Sequence, residues 1–133
     1  MLNRGTYNPA TGEPIGRGSV LVLDSRAGRL PRTVTLGSDP GFVAVDARRG
    51  RVFVLNGGAA SNVNGAVHPH DGSISVLDAS TGAVPRTIPA GGNPELAAID
   101  PASGRLTVDG VRLARRVPAL PMSGYVLVVD AGQ

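Results

Sequence analysis

The sequence contains no cysteine, no lysine and no tryptophan. Without cysteine, the chain has neither disulfides nor thiolate metal ligands. Only two tyrosines and two phenylalanines are present, and none lies within a cluster of basic residues, which argues against stacking of nucleic-acid bases. No apolar run reaches the ~18 residues of a membrane span. The stretch after Met1 has no apolar core either, so the sequence predicts no signal peptide.

The positive charge is carried by arginine alone. All 13 basic residues are arginines, the net charge is +3, and the arginines are dispersed along the chain rather than gathered in one stripe. We therefore do not expect a nucleic-acid partner. The 19 glycines and 11 prolines in 133 residues are typical of a single domain of many short strands joined by turns.

The sequence repeats itself. Residues 18–54 recur as residues 72–108 at a constant offset of 54, without a gap, and 16 of the 37 aligned residues are identical. A third copy begins at Gly124, and residues 1–17 resemble the tail of a preceding one. We therefore treat residues 1–133 as one domain with repeat units 18–71 and 72–123, a partial third unit 124–133 and a tail 1–17.

Each unit contains four short apolar runs that are too short for helices and are rich in Val, Leu, Ile and Thr. We predict strands at Val20–Asp24, Arg32–Leu36, Phe42–Asp46, Val52–Leu55, Ile74–Asp78, Arg86–Ala90, Leu96–Asp100 and Leu106–Val108. Four Asp-x-x-x-Gly segments separate them and predict tight antiparallel turns, because Asp caps such turns and Gly adopts their left-handed conformation. Pro31 and Pro85 precede the second run of each unit, which predicts that this strand lies at a sheet edge.

These motifs resemble a known family. The order "V-x-V-hydrophobic-D", "T-hydrophobic", "G-x-x-P", "AVD" and "V-hydrophobic-N" is similar to the YVTN-type β-propeller repeat of bacterial surface-layer-like and quinoprotein amine dehydrogenase β-chain-like propellers. The resemblance covers residues 18–108 and the terminal copy, and it departs at inserts 56–71 and 109–123. It implies an all-β fold: a propeller segment of about two four-stranded antiparallel blades plus one extra strand, not closed into a ring. It also implies an extracytoplasmic location, although the sequence itself shows no targeting signal.

Two repeats are fewer than the four or more blades that a propeller needs to close. We expect that the chain is a piece of a longer protein and that its partners are the remaining blades. The alternative is that further copies of the chain share one ring, for example three chains forming six blades. A gene remnant without a function of its own is a third interpretation.

Alternating strand directions predict two different faces. The Asp-x-x-x-Gly turns share one of them, which we call the turn face. The opposite link face carries the segments Gly37–Pro40 and Gly91–Pro94 together with both inserts. Because long loops on a rigid scaffold collect binding residues, we expect ligand or partner contacts on the link face.

Several residues of the link face are candidates for such contacts. Asp39 and Asn93 occupy equivalent positions before Pro40 and Pro94, where the alternative role is turn formation. Glu95 has no evident role in a turn. Arg112, Arg115 and Arg116 form a basic patch on a predicted short helical turn from Val111 to Val117; solvated charge is the alternative.

His68 and His70, beside Asp71, are the only histidines and the weak candidates for a metal site. Pro69 separates them and no further histidine completes the set, so we predict solvated loop residues and no metal; a pH-sensitive contact is the second alternative. We predict no catalytic residue and no cofactor. The favoured function is a non-enzymatic binding scaffold. The alternative is a fragment of a propeller enzyme, such as a lactonase-like hydrolase or an amine-oxidising subunit, whose site lies in the full ring.

Overall fold

The computed structural model describes residues 1–11, 15–22, 32–57, 60–63, 66–69, 71–113 and 122–130. No helix occurs among them. They form twelve strands: β1 Leu2–Asn3, β2 Ser19–Val22, β3 Arg32–Thr35, β4 Pro40–Asp46, β5 Arg51–Asn56, β6 Ala60–Val63, β7 Ala66–Pro69, β8 Ser73–Asp78, β9 Arg86–Pro89, β10 Asn93–Ile99, β11 Arg105–Leu113 and β12 Met122–Asp130. The all-β prediction is confirmed.

Ten of these strands form three antiparallel sheets, none of which is closed. Sheet N has the order β1–β2–β3, sheet M the order β4–β5–β8–β9 and sheet C the order β10–β11–β12. The arrangement is therefore one four-stranded sheet between two three-stranded ones, not two four-stranded sheets plus one strand. The difference arises because Leu2 and Asn3 pair with Val20 and Ser19, so that the N-terminal tail joins the first sheet. Strands β3 and β9 lie at sheet edges, as the prolines before them predicted.

Both inserts contain more strand than the sequence indicated. In the first, β6 pairs with β7 as a separate hairpin. In the second, the predicted helical turn after Val111 is wrong for its described part, because β11 continues through Leu113. Its last residues are held by pairing with β12, with Val111 opposite Gly124 and Arg112 opposite Ser123.

Two apolar clusters lie between the sheets and stack them in the order N, M, C. The first joins sheets N and M through Val20, Leu36, Val54 and Leu77. The second joins sheets M and C through Phe53, Leu55, Ile74, Val76, Leu106, Val108 and Val129. Burial of these side chains is the main stabilising contribution, at about 1.5–3 kcal/mol for each large one.

The described Asp-x-x-x-Gly turns have the predicted chemistry. The Asp78 carboxylate accepts hydrogen bonds from the N–H groups of Ser80 at 2.8 Å and Thr81 at 3.0 Å. The closing glycines have left-handed φ values of 62°, 71° and 76° at Gly50, Gly82 and Gly104. The first turn, 24–28, lies outside the described residues.

Neighbouring turns also contact each other. The Ala79 N–H donates to the Gly50 carbonyl at 2.8 Å, and the Arg49 guanidinium donates to the Ala102 carbonyl at 2.9 Å. The described turns therefore share the turn face.

Candidate ligand-binding site on the link face

The two Gly-x-x-Pro links each lead into the first strand of a sheet. Pro40 begins β4 and Pro94 is the second residue of β10, and both prolines are buried. The Gly57 N–H, at the end of β5, donates to the Asp39 carbonyl at 2.8 Å. This bond brings the first link against the end of sheet M, beside the second link.

A polar cavity of about 200 Å³ opens between the two links. Its lining consists of Arg4, Asp39, Gly41, Gly57, Asn93, Pro94 and Glu95. Three of the candidates proposed from the sequence, Asp39, Asn93 and Glu95, thus lie around one cavity. The close approach depends on Gly57, because a Cβ there would lie 3.0 Å from both the Asn93 Oδ1 and the Asp39 Oδ2.

Arg4 crosses from sheet N to the first link and forms a two-pronged ion pair with Asp39. Its Nε donates to Oδ1, and its Nη2 donates to Oδ2 at 3.0 Å. The hydrogen bond with Asp39 is the largest cause that raises the pKa of Arg4. Sequence reasoning missed Arg4, although alignment of Leu2-Asn3 with Leu55-Asn56 places it at the position of Gly57.

Asp39 has a left-handed backbone, with φ of 48°. Few residues other than glycine adopt this conformation, and Asp and Asn adopt it most readily. Backbone outliers of this kind concentrate at functional sites. At Asp39 the conformation coincides with a charged side chain that lines the cavity.

The Tyr7 hydroxyl lies near the same carboxylate. It is buried without a hydrogen-bond partner of normal geometry. Burial, followed by the proximity of Asp39, raises the pKa of Tyr7 to about 12. The phenol therefore remains neutral at physiological pH beside the Arg4–Asp39 pair.

Glu95 supplies the second carboxylate of the lining and is exposed. Within the described residues it forms no ion pair. Because Asp39 is already neutralised by Arg4, Glu95 gives the cavity an uncompensated negative charge, whereas the whole chain carries +3.

Arg112 lies on the same face, in β11, and its guanidinium packs over the Tyr125 ring with 4.9 Å to the ring centroid. Burial raises the pKa of Tyr125, and the positive charge of Arg112 lowers it in part. The predicted patch of three arginines cannot be placed as a whole, because Arg115 and Arg116 lie outside the described residues.

The predicted histidine pair is placed only in part. His68 belongs to β7, opposite Ser61, and His70 lies outside the described residues. Asp71 is exposed. Over the part of the chain that the structure describes, no three His, Asp or Glu residues are grouped so that they could hold a metal ion. In the same part, no helix is long and apolar enough to cross a membrane.

No family model matches the chain, and neither a curated protein nor a solved structure is significantly similar to it. The resemblance to the YVTN-type repeat therefore remains a prediction from the sequence.

Proposed function

We propose that this chain is a β-propeller segment that acts as a binding scaffold through its link face. The observation that carries the proposal is the cavity between the two links, where Asp39, Asn93 and Glu95 meet. Sheets N, M and C support the propeller interpretation because they stack through apolar faces, and sheet M has four antiparallel strands in chain order, β4–β5–β8–β9.

The lining favours a small positively charged hydrogen-bond donor. The Glu95 carboxylate is a hydrogen-bond acceptor that has no ion-pair partner among the described residues. Asn93 adds an amide group to the lining. A cavity of about 200 Å³ has room for one ammonium or guanidinium group. Charge-assisted hydrogen bonds to a carboxylate are roughly twice as strong as neutral ones. The ligand is therefore a molecule or partner protein that presents an amine or guanidinium at its surface.

The proposal is tested by NMR titration of the chain with methylguanidinium at constant ionic strength. We expect saturable shifts at the amides of Gly41 and Gly57, which line the cavity. Methylurea, which has a similar shape without the charge, should give at most weak shifts.

Glu95→Gln should reduce the affinity for methylguanidinium about tenfold, which corresponds to the loss of one charge-assisted bond. Asp130→Asn is the matched control, since Asp130 is an exposed carboxylate at the end of β12 and does not line the cavity. Equal binding of methylurea, or equal losses in the two variants, would show that the cavity does not select a cation.

A further inference from the structure

One face of sheet C carries exposed apolar side chains that no other described part of the chain covers. Leu96, Val126 and Val128 are exposed by 57%, 69% and 58%. With Ala98 and Thr107 they form a continuous surface over three strands, and part of it lines a cavity of about 370 Å³. We call this surface, together with Asp109, the C face.

The repeat shows what covers such a face elsewhere in the chain. Leu96, Val126 and Val128 align with Phe42, Ile74 and Val76 of sheet M. Ile74 and Val76 are 0% and 6% exposed because sheet C packs on them. The equivalent face of sheet N, which includes Val20 and Val22, packs in turn against sheet M. A sheet packed on the C face would therefore repeat the contact that already joins sheet N to sheet M and sheet M to sheet C.

The opposite end of the stack carries the complementary face. In sheet N, Asn3, Ser19, Leu21 and Thr33 line a cavity of about 510 Å³ together with Met1, Leu2 and Arg4. Asn3 and Ser19 align with Asn56 and Ser73 of sheet M, whose corresponding face packs on sheet N. We call the surface of Asn3, Ser19, Leu21 and Thr33 the N face.

The polar residues of the two end faces match each other. At the centre of the C face, Thr107 and Asp109 stand where sheet M has Phe53 and Leu55. The N face is likewise mostly polar, with Asn3, Ser19 and Thr33 beside Leu21. Polar side chains on both end faces favour the N face over a purely apolar partner for the C face.

We propose that the C face of one chain binds the N face of a second copy, and that the second copy's C face returns to the first. Two copies then contribute six sheets to a closed ring, within the four to eight sheets of known propellers. Three copies would contribute nine. The contact is head-to-tail, and closure leaves neither end face exposed. The inference rests on the propeller-type stacking proposed above but not on the ligand cavity.

The test is the mass of the purified chain by sedimentation equilibrium and light scattering. We expect about 27 kDa, twice the 13.5 kDa of one chain. Val126→Arg on the C face and Thr33→Arg on the N face should each reduce the mass to that of one chain. Ile15→Arg is the matched control, since Ile15 is 67% exposed and lies on neither face, and it should remain dimeric. Circular dichroism verifies that every variant is folded.

Thr33→Arg separates two ways of pairing. If the contact is head-to-tail, Thr33→Arg breaks the dimer. If two C faces contact each other, the Thr33→Arg variant stays dimeric, and this result overturns the proposal. A single-chain mass for the unmodified protein at its highest soluble concentration also overturns it. So does a mass that rises without limit, because the ring then does not close. Binding of methylguanidinium is measured separately, so either proposal can fail alone.

Discussion

Gly72 lies against the ring of Pro94, so that a Cβ on the glycine would stand 2.5 Å from the proline Cδ. Gly18 and Pro40 repeat the relationship, with the corresponding distance 2.1 Å. In each pair the glycine precedes a strand of one sheet, and the proline is the first or second residue of the first strand of the next sheet. At the link face, neighbouring sheets thus pack a glycine against a proline ring, with no room for a side chain at the glycine.

Gly72→Ala should therefore destabilise the fold by about 1–3 kcal/mol, the usual cost of overpacking a well-packed site. Urea denaturation measures the change in free energy of unfolding. Gly41→Ala is the control, because a Cβ there meets nothing within 4 Å, and it should change stability by less than about 0.5 kcal/mol. Similar losses in both variants would mean that the Gly72–Pro94 contact is not responsible.

Phe53 is the largest fully buried side chain of the cluster between sheets M and C, at 0% exposure. Phe53→Ala should cost about 3–5 kcal/mol through lost burial and the cavity left behind. Val45→Ala, at a position that is 60% exposed in the neighbouring strand β4, should have little effect. Calorimetric unfolding of both variants provides the comparison. If Phe53→Ala costs no more stability than Val45→Ala, this result contradicts the stacking of the two sheets.

The phenol of Tyr7 should titrate at about 12. Tyr125→Phe removes the other tyrosine, so that phenolate absorbance reports Tyr7 alone. Asp39→Asn in that background should lower the Tyr7 pKa yet leave it above 10, because burial is the larger cause and the carboxylate the smaller. Since the folded pKa exceeds the unfolded value, the stability contributed by Tyr7 is present below pH 10 and is lost as the pH rises through about 12. If the Tyr7 titration midpoint is unchanged in Asp39→Asn, the Asp39 carboxylate lies too far from the phenol to affect its pKa.

The Ser80 hydroxyl is the main cause that lowers the pKa of Asp78 from 3.8 to about 2, followed by the backbone N–H groups of Thr81 and Ser80. Ser80→Ala should raise this pKa towards 3.8, as measured by NMR titration of the carboxyl group. A lowered folded pKa gives a contribution to stability that is present above pH 3.8 and is lost as the pH falls through about 2. Ser103→Ala should move the pKa of Asp100 instead. A shift of Asp78 in that variant would contradict the assignment.

Local chemistry made most of the fold predictable. Short β-branched runs bounded by Asp-x-x-x-Gly indicated the central strands and the turn face. The hairpin β6–β7 was not predicted because its strands have only two valines and no sustained alternation of apolar and polar residues. β1 was not predicted because a strand of two residues is too short to show an alternating pattern.

The cavity was predictable only in part. Equivalent positions in the repeat identified Asp39 and Asn93, and their common loop face followed from strand alternation. The ion pair of Asp39 with Arg4 joins residues 35 positions apart. Sequence spacing does not determine such pairs, since they depend on how the sheets stack.

The left-handed backbone at Asp39 restricts how this position can change in descendants of the repeat. Asp, Asn and Gly are the residues that tolerate it best, so the charge can be lost there while the oxygen acceptor is kept. The equivalent Asn93 lacks the charge, and in its link the left-handed conformation lies at Gly91 instead, with φ of 67°. Successive copies can therefore differ both in charge at this position and in which link residue takes the left-handed conformation, while each proline still packs on the glycine before the neighbouring sheet.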